Sequence, residues 1–177
     1  MAAATQLLTL EEFRRNFAGC DKAYEYWFGE AVPKAMPATL HGITQGVIFA
    51  LLDELGYFIS LEVELRIHSQ WEPRPDVLGS TRPLEEPYPT GGADLFVVEI
   101  LSPEDRWGKV HEKCGLYGTL AGIGHVYLID PDSRKAWIWL PEKQDTQRLP
   151  DRLHLPDGKE LPLAALWERI DRKLGKK

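Results

Sequence analysis

Leu95-Phe96-Val97-Val98-Glu99-Ile100-Leu101 is the stretch on which the fold turns. Every residue in it except Glu99 is apolar, and β-branched and aromatic side chains dominate. Such an unbroken run reads as a strand buried on both faces at the centre of a sheet. A lone carboxylate there costs on the order of several kcal/mol unless it is neutralised, paired or bound to a metal. Strand alternation turns Glu99 to the face of Val97 and Leu101. Whatever meets it there is either a core cation or a metal ion. Downstream, Ser102-Pro103-Glu104-Asp105 has the pattern of a helix start, with Ser102 as N-cap, Pro103 in the first turn and the acids at the positive helix end. The helix is expected to run to about Ala121, although Gly108, Gly115 and Gly118 weaken it and leave it dependent on packing. His125 to Asp130 and Lys135 to Leu140 follow as strands joined by the turn Pro131-Asp132-Ser133-Arg134.

Upstream, a second strand is expected near Asp76-Val77-Leu78. Leu61 to His68 alternates apolar and polar residues, which predicts a half-buried strand. Ile43, Val47, Leu51 and Leu55 recur at helical spacing, with Gly56 as the stop. Tyr24 to Phe28, the turn Gly29-Glu30 and Ala31-Val32 read as a hairpin, and Pro33 and Pro37 end regular structure. Thr9-Leu10-Glu11-Glu12 is a capping box that starts a short helix reaching about Asn16. Arg82 to Gly92, with three prolines and two glycines, reads as an irregular loop. Leu161 to Leu174 is an amphipathic terminal helix. The fold class is therefore α/β, a central mixed sheet flanked by helices with an N-terminal helix and hairpin. The expected organisation is one domain over residues 1–177: helix and hairpin at about 9–35, core at about 40–140, and a C-terminal extension at about 141–177.

The composition is that of a globular protein, with 44% hydrophobic and 27% charged residues in a chain of 177. A net charge of −6 excludes a uniformly basic nucleic-acid coat. The charge is uneven: residues 1–131 carry 10 basic against 19 acidic side chains, and residues 132–177 carry 11 against 8. The basic end, with Arg172, Lys173, Lys176 and Lys177, is either a solvated tail or a phosphate-facing edge. Two cysteines, Cys20 and Cys114, argue against a disulfide framework and cannot make a zinc site by themselves. No apolar run approaches the roughly 18 residues that span a bilayer. Met1 to Leu10 lacks the pattern of a signal peptide. The expectation is a cytoplasmic protein that does not enter membranes.

Asp76 follows Pro75 at the start of the strand expected beside Glu99. Two carboxylates on neighbouring strands suit Mg2+, a hard cation that takes oxygen ligands and keeps several waters. Such an ion activates water and stabilises the charge of a phosphoryl transition state. The structural alternative makes Asp76 a turn residue and pairs Glu99 with a core cation. Lys113 would complete the set if the face carrying Val110, Cys114 and Tyr117 packs on the sheet; otherwise it is a surface lysine. Cys114 has no base partner and is not a nucleophile candidate. Ser102 is better explained as a cap, Tyr117 as core, and Trp137 and Trp139 as core or interface. No Walker-type phosphate loop is present.

The order Asp76, then Val98-Glu99-Ile100-Leu101-Ser102-Pro103, then Glu112-Lys113, Tyr117, Ala121-Gly122-Ile123 and Val126-Tyr127-Leu128-Ile129-Asp130-Pro131, resembles the Uma2 (DUF820) family of restriction-endonuclease-like proteins. Thr9 to Phe13, Tyr24-Glu25 with Gly29-Glu30, and His41 extend the resemblance, which runs from about Thr9 to Leu140. The family belongs to the PD-(D/E)XK nuclease superfamily. The resemblance implies a restriction-endonuclease-like core, with Asp76 and Glu99 as acidic metal ligands and Ile100 as a further metal-binding position. The superfamily lysine falls at Leu101, which cannot serve; Lys113 matches a helix lysine that replaces it. Glu25 matches an acidic position on the hairpin, and His41 a histidine placed to meet substrate phosphate. Without the resemblance, Glu25 is equally a solvent-facing strand residue and His41 a helix cap. One departure is Lys109, where many relatives carry an acid.

The leading function is a Mg2+-dependent endonuclease of DNA (Mn2+ as substitute), with Asp76, Glu99, Lys113 and Glu25 catalytic and His41 substrate-binding, acting as a homodimer. The second is a catalytically weak or inactive member of the fold that binds DNA or protein. The third is an unrelated metal-dependent hydrolase of small phosphoesters. Nicking of plasmid DNA with Mg2+ or Mn2+ separates the three.

Overall fold

The capping box at Thr9 forms as expected: the Thr9 N–H donates to the Glu12 carboxylate at 2.8 Å, and the Glu12 N–H donates back to the Thr9 hydroxyl at 3.2 Å. It starts α1 (Leu10–Phe17), which buries Phe13 against Tyr26 and ties Arg14 to the buried Glu72. In this computed structural model, residues 7–17, 19–20, 22–34 and 38–176 are described. Pro37, Lys177 and the segment 1–6 therefore lie outside the described residues.

The hairpin is β1 (Tyr24–Trp27) and β2 (Glu30–Pro33), turning through Phe28 and Gly29 at φ of 49° and 96°. Next come α2 (Thr39–Glu54), which Gly56 stops at φ 83°, and β3 (Phe58–Leu61). The strands β4 (Trp71–Glu72), β5 (Val77–Ser80) and β6 (Leu95–Ile100) follow. After β6 the chain forms α3 (Trp107–Ala121), β7 (His125–Asp130) and β8 (Lys135–Leu140). It ends with β9 (Asp145–Leu149), β10 (Arg152–His154), β11 (Glu160–Pro162) and α4 (Leu163–Lys173).

The main sheet has six strands in the order β3-β5-β6-β7-β8-β9. Only β6 and β7 are parallel, as the intervening crossover helix α3 requires. Val77, Phe96, Val98, Ile100, Tyr127 and Ile129 face one core with α2 and α4. Leu78, Leu95, Val97, Val126 and Leu128 face another with Cys114 and Tyr117 of α3, closed by Trp27, Leu65 and Trp71. The architecture is α/β, a mixed sheet with helices on both faces, and β1 sits between β2 and β4 in a small sheet beside it. Among the described residues, no helix is long and apolar enough to cross a membrane.

Three local expectations change. The strand expected over Leu61–His68 ends at Leu61: the Glu62 N–H still makes the next bond of the β3–β5 register, to the Asp76 carbonyl at 3.3 Å, but Glu62 takes φ 53° and turns the chain out of the sheet. Leu65 and Arg66 then bond to the carbonyls of Pro73 and Pro89 rather than to a ladder. The alternation was real burial, since Leu65 is fully buried, but without strand pairing. Ser102 does not cap α3. Residues 102–105 close a turn of their own, in which the Asp105 carboxylate accepts the Ser102 N–H at 2.7 Å, and the helix begins at Trp107. Beyond Leu140, β9, β10 and β11 add strands that polar sequence concealed.

Pairing of β5 with β6 is the feature that positions chemistry. Val77 stands opposite Val98 and Leu78 opposite Val97. Extending that register by one residue sets Asp76 opposite Glu99. The same register puts Gly79 opposite Phe96, whose ring lies over the glycine where a Cβ would be. Gly79→Ala should destabilise the fold by about 2–3 kcal/mol through overpacking. In a Phe96→Leu background the alanine should cost clearly less, a coupling that urea unfolding of the double-mutant cycle would reveal.

Candidate active site

Four carboxylates gather where β5 begins and β6 ends, and each is there for a local reason. Glu25 is drawn inward by β1, whose Tyr26 and Trp27 are also buried. Its Oε2 accepts the Trp27 indole N–H at 2.9 Å, and its Oε1 accepts the Arg74 backbone N–H at 2.8 Å. Glu99 emerges from the apolar run on the α3 face. Its Oε1 accepts the Tyr117 hydroxyl at 2.6 Å. Lys113 lies between these two acids, with Nζ 2.8 Å from Glu25 and 3.0 Å from Glu99. The α3 face carrying Cys114 and Tyr117 does pack on the sheet, and this brings Lys113 inward.

Asp76 is held by the strand beside it: its Oδ2 accepts the Ile100 backbone N–H at 2.7 Å. Its Oδ1 receives Lys34 Nζ at 2.7 Å and faces His41 Nε2 at 3.5 Å. The same Lys34 ammonium reaches Glu62 at 2.6 Å. Gln45, one turn beyond His41 on α2, donates to the Glu62 carboxylate at 3.2 Å and to the Asp76 carbonyl at 2.8 Å. His41, Glu62 and Asp76 each offer a ligand atom, and these atoms all lie within 4.8 Å of one another.

The charges distort one another. Burial pushes the Glu99 carboxyl up to about 7, aided by the neighbouring Asp76 and Glu25 and opposed by Lys113 and Lys34. Burial also acts on Asp76, but the His41 hydrogen bond and the ammoniums of Lys34 and Lys113 outweigh it and hold Asp76 well below the usual range. For Lys113, burial is outweighed by Glu25, Glu99 and Asp76, so its ammonium is held above its ordinary value. Lys34 is raised in the same way, chiefly by Asp76. His41 is raised by its hydrogen bond to Asp76.

The expected residues Glu25, His41, Asp76, Glu99 and Lys113 thus converge on one region, and Ile100 joins through its backbone. His41 sits within α2 and points at Asp76 instead of capping the helix. Lys34, Gln45 and Glu62 were not foreseen. Gln45 had a signal, being four residues after His41 on a recognisable helix. Lys34 and Glu62 had none, since one follows a proline in a connection and the other lay on the wet side of a supposed strand. Tyr117 is core, as read, and also a donor to Glu99. Lys109 stands apart, paired with Glu112 at 2.8 Å and 5.3 Å from the Trp27 ring centre.

Residues 9–170 match the Uma2 family, described as "Putative restriction endonuclease". The chain belongs to the Uma2 family. Among solved structures, this Uma2 chain is similar to one described as a "putative nuclease belonging to DUF820" from Anabaena variabilis ATCC 29413. The two share 25% identity and superpose with a TM-score of 0.71, covering 92% of this chain and 99% of the other. No curated protein is significantly similar to it. The restriction-endonuclease-like fold of the family is therefore this chain's fold.

The raised Glu99 has a thermodynamic signature. Between its ordinary value of 4.5 and about 7, the folded chain holds a proton at Glu99 that the unfolded chain has released. Stability contributed by this group therefore falls as pH rises through that window. The stability of the native protein relative to Glu99→Gln should drop by at least about 1 kcal/mol from pH 4.5 to 7. Urea unfolding of both proteins across that range checks it, and a flat difference would refute the burial argument.

Proposed function

We propose that this Uma2 protein is a Mg2+-dependent endonuclease that hydrolyses DNA phosphodiester bonds, with Mn2+ able to substitute. The observation that carries this reading is the opposition of Asp76 and Glu99 across β5 and β6, with Lys113 against Glu99. The donor set fits a hard divalent cation: two carboxylates and an imidazole lie within 4.8 Å of one another, and an ammonium already sits between the carboxylates. Asp76, Glu99 and the Ile100 carbonyl would hold the cation, and Glu62 and His41, which cluster with Asp76, would offer further ligand atoms on the Asp76 side. Such an ion, when bound, supplies an acidified water and a counter-charge to the phosphoryl oxygens.

The chain's own groups have separable parts in this reaction. Hydrolysis forms one P–O bond from water and breaks the bridging P–O bond, while one proton leaves the water and one reaches the departing oxygen. Lys113 keeps its proton, because three carboxylates stabilise it. It is therefore a fixed positive charge at the attacking oxygen and not the base. Glu25 fixes the lysine. Tyr117 fixes Glu99. His41, raised by Asp76, carries positive charge to a substrate phosphate at mildly acid pH. The reading includes residues 1–177 working as one domain in the cytoplasm, and a homodimer, since cutting both strands of a duplex calls for two centres.

One observation favours the second reading, a weak or inactive binding module. The four acids are already matched by Lys34, Lys113 and His41 within the protein. The same assay decides. Supercoiled plasmid should be nicked in Mg2+ or Mn2+ and spared in EDTA. Asp76→Asn, Glu99→Gln and Lys113→Met should each lose activity on the order of a hundredfold or more. DNA binding without nicking would support the binding module, and hydrolysis of small phosphoesters alone would support the third possibility.

A further inference from the structure

Lys34 and Lys113 each bridge two carboxylates, but they do so in different settings. Lys113 projects from α3, between the buried Cys114 and Tyr117 side of the helix and the sheet, and its partners Glu25 and Glu99 expose only 7% and 12% of their side chains. Lys34 leaves the end of the hairpin, in a connection anchored by its N–H to the Ala23 carbonyl at 2.9 Å. One of its partners, Glu62, exposes 37% of its side chain. Lys34 itself exposes 16% of its side chain, close to the 14% of Lys113, so the difference lies in the partner: the Lys34 bridge has water beside Glu62.

The acids that Lys34 joins, Asp76 and Glu62, are two of the three residues whose ligand atoms lie within 4.8 Å of one another, and His41 is the third. Oxygen ligands stand roughly 2.0–2.6 Å from a bound Mg2+ or Ca2+. A divalent cation among these donors would therefore press against the Lys34 ammonium, and like charges in contact repel strongly. Cation and ammonium cannot share the same oxygens.

We propose that Lys34 is a tethered counter-ion of the metal site, an intramolecular competitor that the divalent cation must displace. It rests on the metal-binding reading given above and adds to it a residue and a direction. The ammonium keeps Asp76 and Glu62 close and neutralised. A divalent cation takes over both carboxylates, and Lys34 turns out to the solvent side that Glu62 already borders. Lys113 cannot do likewise, because leaving would strand the buried Glu25, which lies outside the cation's ligand set. The apparent metal affinity is consequently lower than the donor set alone would give.

Mn2+ titration of the full chain, followed by the EPR signal of free Mn2+, tests this. Lys34→Met should bind Mn2+ about tenfold more tightly than wild type, or better, while Asp76→Asn binds far less. A second measurement needs no variant: acetylation of wild-type lysines read by mass spectrometry. Saturating Mn2+ should raise the labelling rate of Lys34 several-fold and leave Lys113 protected. Equal or weaker Mn2+ binding by Lys34→Met, or Lys34 labelling indifferent to Mn2+, would overturn the proposal and leave the metal site standing. Absence of Mn2+ binding in both wild type and Lys34→Met would overturn the metal-binding reading together with it.

Discussion

One buried ammonium ties three parts of the molecule together. Lys113 comes from the crossover helix, Glu25 from the hairpin and Glu99 from the central strand, and Nζ lies within 3.0 Å of both acids. Removing one member of a buried ion pair commonly costs about 3–5 kcal/mol, because the remaining charge is left unsolvated. Here either loss would also leave a Tyr117 hydroxyl or a Trp27 indole with a changed partner. The hairpin is thereby held against the main sheet by chemistry as well as by the burial of Trp27 in the core it shares with Leu78, Val97 and Leu128.

This arrangement works against simple stability. Three carboxylates act together on one lysine, and burial holds Glu99 near neutrality while Asp76 stays ionised. The two acids are pushed in opposite directions by their surroundings, and replacing a buried ionic network of this kind by apolar side chains is often neutral or stabilising. The surrounding core bears the cost. Val77, Phe96, Val98 and Ile100 on one face, and Leu78, Leu95 and Val97 on the other, fix the β5–β6 register. A slip of β5 by one residue would turn Asp76 away from Glu99 and invert the faces of β5.

Much of this was legible in the residues. Glu99 announced itself as a charge in an apolar strand, and Lys113 as the lysine one face removed from the buried side of α3. The capping box at Thr9 and the stop at Gly56 were readable because each satisfies local hydrogen bonds or backbone geometry. What escaped were features that depend on tertiary partners. Ser102 looked like a cap, but residues 102–105 close a separate turn and α3 begins only at Trp107. The edge strand β9 is polar because most of it faces water, and so it carries no apolar run. Lys34 comes from a connection whose local pattern says nothing of what its side chain meets across the fold.

Glu62 shows most directly how site geometry overrides local preference. Its surroundings favour a strand, yet the residue adopts φ 53°, a conformation that costs a non-glycine residue roughly 1–2 kcal/mol. Its N–H still donates to the Asp76 carbonyl, the bond that the β3–β5 register places there, and the chain leaves the sheet after it. The turn offsets its cost through the Lys34 ion pair and the Gln45 hydrogen bond, both made by the Glu62 carboxylate. The β3–β5 register already sets Glu62 opposite Asp76 at the start of β5, and there its carboxylate meets Lys34 and Gln45. The strained residue and the acidic cluster are thus one feature: the chain leaves the sheet where a side chain is needed at its end.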